Sequence, residues 1–280
     1  MQVARRLLRE RNAEAVMGGG GYVAGPVGLA ALSLGLPLVL TEADSHLGLS
    51  NRMLAGRARR VCLAFPIPGR VGDRYLLTGR PIPRTILTAD RTSARARFGI
   101  PVADRCLLIF GGSLGARSIN EAALAAFGPN RGDTARDYHV LHIAGERDYA
   151  ELRGRLGERE RYTLLAYEPS LGDALAASDL VLARSGGSIF ELTAAARAAV
   201  LVPYPYASAD HQARNAEWMR EAGAAVVVSD DQLDGDRLVA EVEELFGNPE
   251  RLAEMASASA RLAKPDAAER IAAEILAAIQ

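Results

Sequence analysis

An α/β protein built on parallel sheets is predicted by three observations: short apolar runs recur along the chain, stretches with helical spacing fill the intervals, and glycine-rich turns stand where runs give way to helices. The runs are LPLVLTE (36–42), RCLLIF (105–110), DYHVLHIAG (137–145), YTLLAY (162–167), SDLVLA (178–183) and AAVLVPY (198–204). They are apolar throughout rather than alternating, which marks strands covered on both faces. Between them, SINEAALAAF (118–127) and DHQARNAEWMREAG (210–223) carry helical spacing. Asp210 is placed to cap the second helix and Gly223 to end it.

TGRPIPRTIL (78–87) interrupts this alternation, because Pro81 and Pro83 cannot sit inside a regular element. Two Rossmann-like units are predicted: a smaller one at 1–80, offering three strands, and a larger one at 81–264. The tail 265–280, opened by Pro265 and Asp266, reads as an amphipathic helix that packs back on the first unit.

Composition narrows the function classes. The 280 residues are 49% hydrophobic and 24% charged, so a globular core is expected rather than disorder. Cys62 and Cys106 are the only cysteines and lack CxxC spacing, which disfavours a disulfide scaffold or a thiolate metal site. The charged start, MQVARRLLRERNAEAV, is unlike a signal peptide, and GLAALSLGLPLVL (28–40) is too short to span a bilayer. Net charge is −1, yet residues 1–100 hold 15 arginines against 6 acidic residues, and the remainder holds 18 basic against 28 acidic. That asymmetry is either an arginine-rich solvated surface or a face for an anionic membrane or a phosphate-bearing substrate. Nucleic acid is not expected, because no aromatic or readout motif accompanies the basic stretches.

IFGGSLGARSIN (109–120) joins strand, turn and helix. Gly111 and Gly112 make the turn, Ser113 offers a hydroxyl, and Gly115 lets a group approach the helix start. Free N–H groups and the helix dipole hold a diphosphate there without a lysine, although a purely structural tight turn would use the same residues. The spacing matches neither GxGxxG nor GxxxxGK[ST], which counts against a standard dinucleotide site and an ATPase. ARSGGSIFELTAAA (183–196) repeats the arrangement with Ser185, Gly186, Gly187 and Ser188. Glu191 in the following first turn either accepts two ribose hydroxyls or merely stabilises the helix end. PYPYASADHQARNAEW (203–218) presents His211, Gln212 and Asn215, which can bond sugar hydroxyls; alone, His211 would read as a surface or capping residue.

In the first unit AVMGGGGYVAGPVGLAA (15–31) carries four consecutive glycines, Gly18 to Gly21, before a helix, again an anion cradle. TEADSHLGLSNRMLA (41–55) then groups Glu42, Asp44, His46 and Asn51 beyond a strand end. His139 and His142, three apart on a strand, point to opposite faces and make poor metal ligands.

Together, GGGGYVAGP, GLSNRMLA, GRPIP, GGSLGARSIN, RSGGSIFEL and DHQARNAE resemble, in order, the MurG family of UDP-N-acetylglucosamine:lipid I transferases over nearly the whole chain. The resemblance implies a GT-B type fold: two Rossmann-like domains facing a cleft, the second holding the donor. Ser113 with Gly111, Gly112 and Gly115 would then contact the donor pyrophosphate, and Ser185, Gly186 and Gly187 would line the same site. Glu191 would bind the uridine ribose, His211, Gln212 and Asn51 the N-acetylglucosamine, and Tyr167 and Glu168 would border the uracil. Gly18, Gly19, Gly20, Gly21 and Tyr22 would face the pyrophosphate of the lipid acceptor.

The chain departs from the pattern in three places. The family begins with a further strand and a histidine-bearing glycine loop, so the first domain is expected to be N-terminally truncated. Its usual GNPVR is here Gly79-Arg80-Pro81-Ile82-Pro83, with Arg80, or Arg84, standing for the phosphate-facing arginine. The loop from Arg184 to Glu191 is one residue shorter than in many relatives.

The implied reaction is an inverting transfer forming lipid II in peptidoglycan synthesis, at the cytoplasmic face of the membrane, with no cofactor and no metal. Glu42, an acid beyond a strand end in the acceptor half, is the candidate general base. A UDP-N-acetylglucosamine 2-epimerase, another UDP-sugar enzyme of the same architecture, or a nucleotide-sugar-binding protein without catalysis are the alternatives.

Overall fold

The computed structural model describes residues 1–129, 137–207 and 210–279. They form two compact units: Met1–Ile82 with Lys264–Gln280, and Pro83–Ala263.

The first unit runs α1 (Gln2–Glu10), β1 (Val16–Gly18), α2 (Gly21–Ser33), β2 (Leu38–Glu42), α3 (Leu49–Leu54), β3 (Arg60–Leu63) and β4 (Tyr75–Leu77). Its sheet is parallel in the order β1-β2-β3-β4. Four strands replace the three that the sequence offers: β3 was missed because its apolar run is only a few residues long, between Arg59-Arg60 and Pro66.

The second unit comprises α4 (Arg84–Thr88), α5 (Arg91–Phe98), β5 (Arg105–Phe110), α6 (Arg117–Phe127), β6 (Tyr138–Ile143), α7 (Glu146–Leu156), β7 (Tyr162–Leu165), α8 (Leu171–Ala177), β8 (Leu180–Ala183), α9 (Ile189–Ala194), β9 (Ala198–Leu201), α10 (His211–Glu221), β10 (Ala225–Val227), α11 (Gly235–Gly247) and α12 (Pro249–Leu262). The chain then re-enters the first unit, where Ile271 and Ala278 of α13 (Ala267–Ile279) pack on Val39 and Cys62.

Helix ends follow local chemistry. Asp90 caps α5 by accepting from Ser93 N at 2.8 Å, and Gly99 closes it in the left-handed region at φ 67°. Asn248 caps α12, whose first residue is Pro249. The cap predicted at Asp210 is not made: its backbone is left-handed at φ 54° and its carboxylate takes no capping bond, whereas Gly223 does follow α10 at φ 77°.

The second sheet is parallel in the order β10-β9-β8-β5-β6-β7. Its middle strands are buried on both faces. Leu107, Ile109, Leu180, Leu182 and Val200 share one core with Ile119, Ala123 and Phe127 of α6 and Leu238 and Val242 of α11. At about 25 cal/mol per Å² of apolar surface, this two-sided burial is the main force holding the sheet. The order also fixes where a ligand can enter. From β5 the chain builds outward through β6 and β7, then returns to the other side of β5 for β8, β9 and β10. The crevice of an open α/β sheet lies at such a reversal, beyond the strand C-termini, here between β5 and β8.

Both cysteines are buried, and that burial pushes the Cys62 thiol up to about 11 and the Cys106 thiol up to about 12. His142 on β6 is also buried; Tyr162 Oη lies 2.8 Å from its Nδ1 and Asn120 Oδ1 3.0 Å from its Nε2. His139 is bonded separately, to Thr163 Oγ1 at 2.8 Å. Loss of solvation lowers the His142 pKa to about 3. Between that value and the ordinary 6.5, the unfolded chain binds a proton that the folded one refuses, so stability falls as pH drops through this window. A loss of about 2 kcal/mol is expected between pH 7 and pH 5, from 1.36 kcal/mol per pH unit below 6.5. Urea unfolding at the two pH values measures it, and His142→Gln should remove the His142 share of the slope, leaving that of His139, whose pKa burial also lowers.

Candidate active site

The loops after β5 and β8 flank the reversal point of the second sheet. Three glycines shape the first, each for a different reason. A Cβ on Gly111 would lie 2.3 Å from Ala116 N, so this turn must be tight. Gly115 has φ 75°, and a Cβ there would lie 2.1 Å from Ala144 O. The close approach that Gly115 permits is therefore to the β6–α7 turn, a correction to its reading as an opening for a ligand. Gly112, at φ 94°, has nothing within 4 Å of its Cβ position and faces open space. Ser113 beside it is exposed. The N-cap of α6 is Ala116, which offers no side-chain acceptor, so the first-turn N–H groups have no cap from that residue.

The second loop is tied down rather than free. Ser185 is fully buried, and its Oγ donates to Gln212 O at 2.8 Å, while Asn215 Nδ2 donates to Ser185 O at 3.0 Å. Gln212 Oε1 accepts from Tyr204 N at 3.0 Å. Ser185 and Gln212 thus join the β8 loop to the start of α10, where His211 is the first residue. The ideal Cβ of Gly186 lies 3.7 Å from Gln212 Nε2. Gly187 is half-buried, and Glu191 sits in the first turn of α9, also half-buried.

Tyr167 and Glu168 follow β7, two strands from β5. Tyr167 is exposed, but the Glu168 carboxylate is buried and accepts both its bonds to Arg97 Nη2, at 2.7 and 2.8 Å, and one from Ser170 N. Its charge is already matched within the unit. Arg80 and Asn51 belong to the first unit.

In the first unit, β1 runs into the four glycines. A Cβ on Gly18 would press on Leu40 Cδ2 at 2.9 Å, while Gly20 and Gly21 have φ of 82° and 76°. Three of the four are thus required by packing or backbone conformation, and Gly19 is the one whose Cβ would meet only Thr41 Oγ1 at 3.6 Å. Gly20 is the N-cap of α2, which has no side-chain cap, and Tyr22 is fully exposed. Ser50 Oγ reaches back to Gly21 O at 2.7 Å.

Glu42 closes β2 and is 7% exposed. Its Oε2 accepts from Gly48 N and Asn51 Nδ2, both at 2.9 Å, and Oε1 from Asp44 N at 3.2 Å. This carboxylate staples the 43–48 loop, and Oε1 keeps acceptor capacity. Glu42 also lines a pocket of about 250 Å³ with Thr41, Cys62, Arg80 and Ile271, at the C-terminal edge of the first sheet.

Sequence reading missed Ser118, Asn120 and Asp230. Asn120 Nδ2 donates to Ala144 O and to Asp148 Oδ2, both at 3.0 Å, which locks the turn that Gly115 packs against. Its position inside a helix gave the signal only weakly, since a helical asparagine usually needs a reason.

Two parallel α/β units with glycine turns at the sheet C-termini are the architecture of a GT-B type fold. Residues 1–63 match the glycosyltransferase family 28 N-terminal domain and residues 106–271 its C-terminal domain. The chain is 41% identical over 286 residues to the UDP-N-acetylglucosamine--N-acetylmuramyl-(pentapeptide) pyrophosphoryl-undecaprenol N-acetylglucosamine transferase of Moorella thermoacetica, covering 98% of this chain and 76% of that one. The transferase of the same name from Halothermothrix orenii is 37% identical, covering 94% and 74%. Among solved structures, Acinetobacter baumannii MurG matches with a TM-score of 0.81 at 27% identity, covering 98% of this chain and 76% of that one. The Neisseria meningitidis UDP-GlcNAc 2-epimerase bound to UDP-GlcNAc matches at 0.69 with 13% identity over 99% and 80%, a likeness of fold alone. The chain belongs to glycosyltransferase family 28, in its MurG branch.

Proposed function

We propose that this chain moves N-acetylglucosamine from UDP-N-acetylglucosamine to the 4-hydroxyl of the muramoyl sugar on undecaprenyl-pyrophosphate-linked lipid I, forming lipid II. The observation that carries this reading is the placement of two glycine loops on either side of the β5/β8 reversal, where uncharged amides can grip a diphosphate. The names of the transferases at 37–41% identity favour this reading over the epimerase.

In this mechanism the α6 N-terminus, Gly112 and Ser113 hold the donor diphosphate and stabilise the charge that UDP carries away. Glu191 takes the ribose, while His211 and Gln212 address the sugar. Glu42, through Oε1, accepts the proton of the attacking hydroxyl, and Gly19 to Gly21 with Tyr22 face the acceptor diphosphate.

The first unit also supplies a surface for the lipid. Tyr22, Val23, Leu49 and Met53 are large, apolar and more than 60% exposed, with Arg52 and Arg57 exposed nearby. No helix among the described residues is long and apolar enough to cross a membrane. Peripheral docking on the anionic cytoplasmic leaflet fits both facts.

Labelled donor added to lipid I in anionic and in neutral vesicles tests the whole reading. Disaccharide-lipid formation is expected, faster on anionic vesicles, and Glu191→Gln should raise donor KM about 10-fold or more, since a charged hydrogen bond is worth roughly 1.5–3 kcal/mol. Epimerised sugar without acceptor, or UDP affinity without any transfer, would overturn it.

A further inference from the structure

Arg184 has no task in this mechanism, although it stands between β8 and the second glycine loop. The residue is buried, 8% exposed. A guanidinium so placed must have its N–H groups and its charge matched. Nη1 donates to Val202 O at 3.1 Å and Pro203 O at 3.2 Å, and pairs with Asp230 Oδ1 at 2.5 Å. Nη2 donates to Ser118 Oγ at 2.8 Å, and Ser118 Oγ donates in turn to the same Asp230 Oδ1 at 2.6 Å. The Tyr204 ring centre lies 5.4 Å from the guanidinium carbon.

These partners come from four neighbouring places along one sheet edge. Ser118 is in the first turn of α6 after β5, Arg184 follows β8, Val202 and Pro203 follow β9, and Asp230 follows β10. A lysine could not do this, because one ammonium cannot reach two carbonyls, a hydroxyl and a carboxylate from a planar fork.

We infer that Arg184, Ser118 and Asp230 form a positioning clamp that holds the α6 N-terminus and the 185–188 loop at the separation a nucleoside diphosphate requires. The clamp touches no substrate itself. It rests on the reading of these two loops as the donor site. It also seats Tyr204, whose N–H binds Gln212, so the same clamp sets the start of α10.

Calorimetric titration with UDP, on the full chain, tests the clamp independently of catalysis. Ser118→Ala should weaken UDP binding about 3- to 10-fold, and Ser118→Thr should restore it. Arg184→Lys should weaken binding more than 10-fold, and adding Ser118→Ala to it should cost little more, because both act through one network. In turnover the loss should fall on donor KM more than on kcat, with acceptor KM unmoved. A merely structural role would lower the melting temperature and leave the UDP Kd of the folded protein alone. If Arg184→Lys does not fold, Asp230→Asn and Ser118→Ala decide the matter. Folded variants that bind UDP within twofold of the parent overturn the clamp alone. A parent that does not bind UDP overturns the donor reading and the clamp with it.

Discussion

Gly115→Ala is expected to remove measurable UDP binding and to lower stability by roughly 3 kcal/mol, combining a strained backbone and a buried collision. Gly115 has φ 75°, where an alanine costs about 1–2 kcal/mol. Its new methyl would sit 2.1 Å from Ala144 O, which is backbone and cannot swing aside as a side chain would. That carbonyl also accepts from Asn120, and the Ala144 N–H is bonded to Leu165 O at 2.9 Å. Gly145 opposes Gly115 just as closely, since a Cβ on Gly145 would lie 2.6 Å from Gly115 N. The turn must therefore move away, taking Ser113 and the α6 N-terminus with it. Gly112→Ala is the control. It bears a similar backbone penalty at φ 94° but meets no atom, so it should destabilise less and weaken binding only by crowding the open side. Urea unfolding and UDP calorimetry on both variants test this. A Gly115→Ala protein that binds UDP within threefold of the parent would contradict the role given to this turn.

Glu42→Gln should cut transfer by about 10²-fold or more, within the range that a positioned base contributes, while UDP affinity stays within twofold. The second half of that statement follows from the residue's place in the first unit, whereas the loops assigned to the donor belong to the second. The first follows from the loss of charge at Oε1, and from geometry. Gly48 N and Asn51 Nδ2 both donate to Oε2, and Asp44 N to Oε1, so an amide must turn its own N–H₂ toward one of these donors. Asn51→Ala separates loop support from proton transfer, because it removes one staple and leaves the acid. Asn51→Ala should therefore keep more of the transfer rate than Glu42→Gln does. Turnover within threefold of the parent in Glu42→Gln removes Glu42 from the chemistry.

The strands and glycine turns were legible in the sequence because they are local. RCLLIF followed by GGSLGARS places a strand, a turn and a helix start within fourteen residues. The strand order was not legible, since β8 returning beside β5 is a pairing between residues some seventy positions apart. The ion pair of Glu168 with Arg97 spans 71 positions, and the contact of Arg184 with Ser118 spans 66. Such partners leave no spacing pattern. For the same reason Gly115 looked like an opening for a ligand, when the group approaching it is Ala144 O. Strands β3 and β10 were passed over because runs of three or four residues carry little periodicity.

The two sealed thiols make the molecule convenient to label. A thiolate is the species that reacts with maleimides and iodoacetamides, and burial keeps both Cys62 and Cys106 protonated. A single cysteine introduced at exposed Leu114 therefore takes up one dye per chain with the native pair left in place, and its emission reports on the β5–α6 turn as nucleotide is added.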